Sequence, residues 1–434
     1  MTATNLDKPP AFAAFRVPGY RAHFVTYVVA MMADNIEHVI SYWVAFQKFH
    51  SPALGGFAVL SHWLPFLIFS VSVGALNDRF DSRRLIQAGM VLFMAASVGW
   101  GYFFATDSLT MSGAMVLLVV HGCAGVLWQT SSQMLLHDIV SRPLGPTTAL
   151  ASAVRLNATA RYLGILVGPA VGGLIMLTLQ PTRAIFLNTV FYLPLLLWLV
   201  RAPYGRRYRG DQPPPRRAVR GIADILETLR DIRGLPIIGP MILGPMILLA
   251  GAASFFIGNS YQAQMPGFAH DLGHGDPGTA YSALLAADAA GALTAGLLLE
   301  SRGGWLASTV ASALRLAVLW AAALAGFALI RSYALALPLL FAAGFLELSF
   351  SSMAMALVQL HAPAAARGRI IGLFNMSALG LRAFSGITVG LVGSLIGIHA
   401  SLAASALVFG VWMAGLLVRR SRAPAAEAAP PPGP

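Results

Sequence analysis

The first long apolar segment of the chain carries ionisable residues near its centre. Asp34, Glu37 and His38 lie within two turns of one predicted helix, with Asp34 about 21 Å from its start. Two such carboxylates repel when both are ionised, and a nearby histidine can exchange a proton near neutral pH. These residues predict a site that binds protons or a polar substrate, without a resident metal ion or cofactor. The alternatives are a structural ion pair with Arg161 or Arg382, and a metal site formed by Asp34, Glu37 and His38.

Further polar residues recur at helical spacing in other apolar segments. A polar stripe that includes Asp34 must face a water-filled cavity or neighbouring helices, because charge in lipid is costly. Glu347 is a lone carboxylate in mid-segment, predicted either to bind a proton or to pair with Arg315 or Arg382. The candidates for substrate contact are His23, Tyr27, His121, Trp128, Gln129, Asn259, Gln262 and Ser351.

The composition excludes a soluble protein. Hydrophobic residues make up 57% of the 434 residues and charged residues only 11%, and the mean hydropathy is +0.70. Twelve apolar segments of about membrane-spanning length follow one another, from residues 20–47 to residues 399–418. Inside a bilayer each segment must satisfy its own backbone hydrogen bonds. The sequence therefore predicts an all-α membrane protein with twelve transmembrane helices.

Positive charge alternates from loop to loop. All but six of the 29 Lys and Arg residues fall in alternate loops and the two tails. This positive-inside pattern predicts a multi-pass protein of a bacterial inner membrane with both termini in the cytoplasm. The densest cluster, between Arg201 and Arg233, is expected to touch anionic lipid headgroups. No nucleic-acid partner is expected, because no groove-reading module accompanies the cluster.

The segments and charges divide the chain into five regions. Apolar residues recur at helical spacing from Ile222 to Ile232, which predicts an amphipathic helix on the cytoplasmic face. The predicted regions are a cytoplasmic tail at 1–19, a six-helix bundle at 20–200, a cytoplasmic linker with the amphipathic helix at 201–235, a second six-helix bundle at 236–418 and a disordered cytoplasmic tail at 419–434.

The loop after the second segment carries a charged motif. It resembles the Gly-x-x-x-Asp-Arg/Lys-x-Gly-x-Arg/Lys-Arg/Lys motif of the major facilitator superfamily, with Asp81 in place of the second glycine. The resemblance implies a gate that holds the cytoplasmic side closed. After the eighth segment, Gly296 and Glu300 repeat the spacing of glycine and acid, a weak internal symmetry. The matching gate residues are Gly74, Asp78, Arg79, Arg83 and Arg84.

The fifth segment carries a stripe of small residues on one helical face. It resembles the glycine–proline motif of superfamily exporters, especially the branch with the enterobactin exporter and macrolide efflux pumps. The resemblance implies packing of the fifth helix on the eighth across the interface of two halves, where Asp288 would pair with Arg161. Leu118 stands where many proton antiporters of the family carry an arginine. The stripe comprises Asn157, Arg161, Gly164, Gly168, Pro169 and Gly172.

The resemblance implies two six-helix bundles around a cavity lined by the first, fourth, seventh and tenth helices. The predicted function is proton-coupled export of an amphipathic small molecule, a siderophore or a drug-like compound, by a secondary transporter without enzymatic activity. We expect a monomer whose partners are the substrate, protons and the lipid bilayer. The alternatives are an importer or a lysophospholipid flippase on the same fold, and a membrane sensor that transports nothing.

Overall fold

All regular elements in the described part of the chain are helices. The structure is a computed structural model that describes residues 11–50, 52–140, 146–205, 219–258, 260–272, 280–302 and 306–421. Asn259, one of the predicted substrate contacts, lies outside these ranges. Residues 1–10 and 422–434 of the two predicted tails also lie outside them.

Seven α-helices precede the middle of the chain. They are α1 (Tyr20–Phe49), α2 (Pro52–Arg79), α3 (Ser82–Ala105), α4 (Met111–Val140), α5 (Pro146–Phe191), α6 (Leu193–Arg201) and α7 (Ile222–Gly234). A short 3-10 helix at Ala13–Arg16 precedes α1.

Ten more α-helices follow. They are α8 (Gly244–Phe256), α9 (Ser260–Ala263), α10 (Met265–Asp271), α11 (Ala280–Ser301), α12 (Val310–Leu329), α13 (Tyr333–His361), α14 (Arg367–Asn375), α15 (Arg382–Ser385), α16 (Val392–Ile396) and α17 (Ile398–Ser421). Widened π-helical turns at Gly239–Leu243, Met376–Gly380 and Gly386–Leu391 connect several of them.

Ten stretches of the described chain are long and apolar enough to cross a bilayer. The longest, Ala149–Arg201, has 53 residues, and its helix is interrupted at Gln180, where φ is 67°. About 20 residues suffice for one crossing, so this stretch has the length of two. Helix α1 is not among the ten, because Asp34, Glu37 and His38 lower its hydropathy. The prediction of an all-helical, multi-pass membrane protein is confirmed.

Packing is densest inside each half of the chain. In the first half α1 packs along α5, and α4 packs on α2 and α3; in the second half α13 packs on α11 and α12, and α12 on α17. Contacts between the halves are made mainly by α2 with α14 and by α5 with α11 and α13. Large apolar side chains such as Leu177 and Val411 point outward, 84% and 72% exposed, as expected for a surface in lipid.

The glycine stripe of α5 packs on a different helix from the one expected. A Cβ atom on Gly164 would meet Met31, one on Gly168 would meet Asn35, and one on Gly172 would meet Ile36, all on α1. These glycines therefore bring α5 close to α1 inside the first half, and their assignment to the interface with the eighth helix was wrong. The neighbouring Pro169, assigned with them, is exposed.

Helix α5 does reach α11, as the resemblance implied, but through other residues. The side chain of Thr159 fills the space where Gly296 has none. The residues of α5 that meet the second half thus lie on the face opposite to the glycine stripe.

Helix α7 coincides with the amphipathic helix that the linker spacing predicts. Ile232 is buried, Ile225 and Leu229 are partly buried, and Ile222 is 75% exposed. The side chain of Asp224 accepts a hydrogen bond from the backbone N–H of Arg220 at 2.7 Å, which fixes the start of the helix.

Candidate functional site

The acidic residues of α1 form a buried cluster with a histidine from α4. His121 lies between two carboxylates, with Nδ1 2.7 Å from Glu37 Oε1 and Nε2 2.9 Å from Asp34 Oδ1. The Glu37 contact is a hydrogen bond, whereas the Asp34 contact has the distance of an ion pair without hydrogen-bond alignment. All three residues are at most 5% exposed. We call Asp34, Glu37 and His121 the acid–histidine cluster.

Glu37 is the most completely bonded member of this cluster. Its second oxygen accepts a short hydrogen bond from the hydroxyl of Ser97 on α3. One turn further along α1, the Ser41 hydroxyl donates to the Glu37 backbone carbonyl at 2.6 Å. The cluster therefore ties α1 to both α3 and α4.

Two further histidines surround the cluster. The His38 ring lies 4.6 Å from the His121 ring and 4.9 Å from that of His62 on α2, measured between centroids. The Tyr42 ring lies 5.1 Å from the His38 ring, also measured between centroids. His62 is not among the site residues predicted from the sequence, because its helical face alone gives no sign that it joins this group.

Three imidazoles this close invite comparison with a metal site. One nitrogen from each of His38, His62 and His121 lies within 4.8 Å of the others. Zinc requires nitrogen ligands at about 2.0–2.1 Å, so the rings would first have to move closer together. Both nitrogens of His121 also face carboxylates already. The arrangement is that of an ion-pair network, and the expectation of no resident metal stays a prediction.

A separate cavity of about 130 Å³ lies among residues from both halves of the chain. Tyr27 from α1, Gln129 from α4, and Asn157 and Arg161 from α5 line one wall. From the second half, the lining includes Glu347, Phe350, Ser351, Asn375 and Arg382. We call this space the central cavity. Its volume is below the roughly 300–1,000 Å³ of typical ligand pockets, so a drug-sized molecule requires the helices to move apart.

The structure divides the predicted substrate contacts into two groups. Tyr27, Gln129 and Ser351 line the central cavity, as expected. His23 and Trp128 do not: both are fully buried, His23 beside Trp198 and Trp128 against Tyr27. One face of a helix can line a cavity at one turn and pack against another helix at the next. Helical spacing alone therefore could not distinguish the cavity-lining residues from the buried ones.

Three other predicted roles also change. His121 belongs to the acid–histidine cluster instead of the cavity lining. Asp34 and Glu37 are paired with His121, and the described ion pairs connect neither carboxylate to Arg161 or Arg382. Asn157 and Arg161, assigned to packing between halves, line the cavity.

In the second half, two carboxylates share one tyrosine. Asp288 accepts a hydrogen bond from Gln262 Nε2 at 2.8 Å, and the Tyr261 hydroxyl lies 3.3 Å from both of its oxygens. The same hydroxyl lies 3.5 Å from Glu347 Oε2. The expected pair of Asp288 with Arg161 is therefore replaced by these contacts, and Gln262 supports Asp288 behind the cavity wall.

Arg382 is the cation nearest to Glu347. Its Nη2 lies 3.8 Å from Glu347 Oε1, its Nε donates to the Ala378 carbonyl at 3.2 Å, and its guanidinium lies over the Trp63 ring. Of the two partners considered for Glu347, the structure thus selects Arg382. Arg315, the other, is exposed on α12.

The charged motif at the C-terminal end of α2 closes one contact between the halves. Asp78 accepts hydrogen bonds from the backbone N–H groups of Gly368 and Arg369, at 2.8 and 3.2 Å, in the first turn of α14. A carboxylate is favourable at a helix N-terminus. Gly74 lies against Gly368, where neither has room for a side chain. We call Gly74, Asp78, Gly368 and Arg369 the first latch.

The remaining residues of the gate motif form contacts within their own half of the chain or are exposed. Asp81 replaces the expected glycine and caps the N-terminus of α3, accepting from Arg83 N at 3.0 Å. It also forms an ion pair with the Arg83 side chain at 2.7 Å. Arg79 lies over the neighbouring Phe80 ring, and Arg84 is exposed.

The repeated motif in the second half makes a matching contact. Glu300 accepts hydrogen bonds from Arg155 Nε at 2.6 Å and from the Ser152 hydroxyl at 2.5 Å, both on α5. Four residues earlier, Gly296 admits the side chain of Thr159. In each half, a glycine and an acidic residue four positions later thus form a contact with the other half. We call Glu300, Arg155 and Ser152 the second latch.

Helix α7 is attached to the first latch. Arg369 pairs with Glu227 at 3.3 Å and with Asp231 at 3.1 Å. The second latch touches the N-terminal segment, because Ala14 N donates to Ser152 Oγ at 3.1 Å. Both latches are closed in this structure.

Comparison with known proteins agrees with this architecture. Residues 10–431 match the model of the MFS_3 family, described as transmembrane secretion effectors. The multidrug efflux pump Tap of Mycobacterium tuberculosis and of Mycobacterium bovis is 25% identical over 233 residues. That match spans 52% of this chain and 54% of Tap, so the chain covers about half the length of these curated relatives.

Solved structures with the same fold include transporters with different substrates. The human organic anion transporter MFSD10 aligns with a TM-score of 0.69 and 15% identity, covering 92% of this chain and 100% of that one. A bacterial homologue of the iron transporter ferroportin aligns with a TM-score of 0.69 and 14% identity, covering 93% of this chain and 99% of that one. The Escherichia coli fucose:proton symporter aligns with a TM-score of 0.64 and 13% identity, covering 93% of this chain and 99% of that one. The chain therefore belongs to the transmembrane secretion effector family of major facilitator superfamily transporters.

Proposed function

We propose that this protein is a proton-coupled secondary transporter that exports an amphipathic small molecule. It would bind its substrate in the central cavity and exchange protons at the acid–histidine cluster. In this proposal twelve transmembrane helices form two six-helix bundles of a monomer in a bacterial inner membrane. Both termini and α7 lie in the cytoplasm, so the two latches close the cytoplasmic side.

The observation that carries the proton coupling is the position of His121 between two buried carboxylates. With His121 protonated and both carboxylates ionised, the cluster carries one net negative charge. One additional proton neutralises it. A charge at membrane depth costs at least about 2.5–3.5 kcal/mol, so the two protonation states favour different helix arrangements. Protonation from the periplasm would favour substrate release or the return step, and deprotonation toward the cytoplasm would restore binding.

The cluster and the central cavity lie on the same two helices. On α1, Tyr27 precedes Asp34 by seven residues, about 10 Å along the axis. On α4, Gln129 follows His121 by eight residues, about 12 Å. A shift of α1 against α4 would therefore change both sites together, even though the cluster does not line the cavity.

Export is favoured over import by the family description and by the partial likeness to the efflux pump Tap. A test of direction uses inside-out and right-side-out membrane vesicles with the fluorescent probes 1-pyrenesulfonate and ethidium. We expect proton-driven uptake of at least one probe into inside-out vesicles only. Uptake into right-side-out vesicles would identify an importer, and no uptake of either probe in either vesicle would contradict the proposal.

Variants of the cluster test the coupling in the same vesicles. Glu37→Gln and Asp34→Asn are expected to abolish accumulation against a gradient, because the cluster can no longer exchange its charge. His399→Gln is the control, since His399 is a partly buried histidine of the second half that bonds to the Ala328 carbonyl. Full accumulation by both cluster variants would show that the protons act elsewhere.

A further inference from the structure

The charges on the central cavity do not balance. Among the described residues, three that line the cavity carry formal charge: Arg161, Arg382 and Glu347. A second carboxylate, Asp288, lies behind the wall on Tyr261 and Gln262. The cavity surface itself therefore presents two cations and one carboxylate to a molecule that enters it.

The two arginines differ in how they are held. Arg382 has Glu347, the Ala378 carbonyl and the Trp63 ring as partners. Arg161 is half-buried, and in the described ranges no side chain or carbonyl forms a hydrogen bond or ion pair with it. Its planar guanidinium presents five N–H donors. Among the described residues of the cavity wall, Arg161 is therefore the cation without a hydrogen-bonding or ionic partner.

Next to Arg161 lies the amide oxygen of a buried side chain. Asn157, one helical turn earlier on α5, is 4% exposed, and its Oδ1 accepts no hydrogen bond from the residues that the structure describes. Both residues line the same cavity, whose other walls are largely apolar and aromatic, including Trp320 and Phe350. The wall thus offers a cation beside an acceptor, surrounded by ring surfaces.

We propose that the substrate is an amphipathic organic anion whose negative group binds Arg161. A hydroxyl or N–H next to that group would donate to Asn157, and the apolar remainder would pack against the aromatic walls. Guanidinium recognises oxyanions through charge-assisted hydrogen bonds, which are roughly twice as strong as hydrogen bonds between neutral groups. This inference rests on the proposed function, since it names the substrate class of the same cavity.

Equilibrium binding tests the preference for an anion without requiring transport. The full-length protein in nanodiscs of zwitterionic lipid is titrated with 1-pyrenesulfonate, with its neutral isostere 1-pyrenesulfonamide and with 1-pyrenemethylammonium. Binding is read as energy transfer from tryptophan to pyrene, corrected with empty nanodiscs. We expect the sulfonate to bind at least roughly tenfold more tightly than the amide, the ratio that one charge-assisted hydrogen bond supplies.

Variants of Arg161 separate a binding role from a structural one. Arg161→Gln is expected to bring the ratio of sulfonate to amide affinity close to one, and Arg161→Lys to retain part of it. Arg315→Gln, which changes an exposed arginine of α12, should leave the ratio unchanged. Unchanged affinity of Arg161→Gln for 1-pyrenesulfonamide shows that the cavity is still folded.

Two results would overturn the proposal: equal binding of sulfonate and amide by the wild type, or a full preference retained by Arg161→Gln. Failure of the proposed function looks different. If coupling at the cluster is wrong, Glu37→Gln transports normally while the anion preference persists. If the anion is wrong, ethidium is still exported under a proton gradient while the sulfonate preference is absent.

Discussion

At the scale of single residues, the main feature is the pairing of buried charges in the acid–histidine cluster. His121 separates two carboxylates that would otherwise repel each other across α1, and Ser97 bonds to the oxygen of Glu37 that His121 leaves free. A buried charge that loses its partner is far more destabilising than the pair is stabilising. The three residues of the acid–histidine cluster should therefore respond to substitution as one unit.

Stability measurements test this coupling. We expect His121→Asn to lower the free energy of unfolding by about 3–5 kcal/mol, because two carboxylates stay buried without a cation. Adding Asp34→Asn and Glu37→Gln should recover most of the loss. Thermal unfolding of purified protein in detergent, followed by tryptophan fluorescence, measures both effects. A triple variant less stable than His121→Asn would contradict the assignment of an ion-pair network.

Sequence reasoning located the two carboxylates of this cluster but could not assign the histidine that pairs with them. Asp34 and Glu37 stand out because carboxylates are rare in apolar segments. His121 was singled out as well, but its spacing on α4 matched a cavity-lining face equally well. Which histidine meets the carboxylates depends on the rotation of α4 against α1, and that rotation follows from long-range packing. Asp288 illustrates the same point, since its partners Tyr261 and Gln262 come from the short helix α9.

At the scale of helices, close approach depends on a few glycines. Gly164 of α5 lies against Met31 of α1, whereas a Cβ on Gly173 would meet no atom of the described residues within 4 Å. The sequence showed that the stripe allows tight packing but not which helix it meets. Alanine at either position gains helix propensity of about 1 kcal/mol, so any difference between the two variants reports the contact with α1.

This pair of glycines gives a controlled comparison. We expect Gly164→Ala to be less stable than Gly173→Ala by about 1–3 kcal/mol, the usual cost of overpacking. Midpoints of thermal unfolding for the two variants in the same detergent measure the difference. Equal midpoints would mean that α1 and α5 can move apart at Gly164 without a loss of stability.

The two latches give a second prediction for the helices. Asp78→Asn weakens two hydrogen bonds to the start of α14, and Glu300→Gln weakens those to Arg155 and Ser152. Each change should increase the fraction of molecules open on that side. Spin labels attached to the cysteines of Arg84→Cys and Arg302→Cys, in a background with Cys123→Ser, report the distance between the halves. An unchanged distance distribution in both variants would rule out a latching role.

At the scale of the whole molecule, the fold was the most predictable feature. Hydrophobic segments, alternating charge and the motif from Gly74 to Arg84 together indicated a superfamily transporter, and the family match over residues 10–431 confirms it. These signals are local or compositional, so one sequence is enough to read them. The set of residues that line the central cavity could not be predicted in this way, because it combines distant segments of the chain, such as those of Arg161 and Glu347.

The central claim is that substrate movement is coupled to protons through the acid–histidine cluster. The most direct measurement places fluorescein coupled to dextran, a pH-sensitive dye too large to enter the cavity, inside proteoliposomes and adds 1-pyrenesulfonate outside, without an imposed pH gradient. This probe stays ionised and carries no proton of its own. The wild type is predicted to make the lumen more alkaline as the probe enters, and Glu37→Gln to show no pH change. Entry of the probe into wild-type vesicles at constant internal pH would contradict the account.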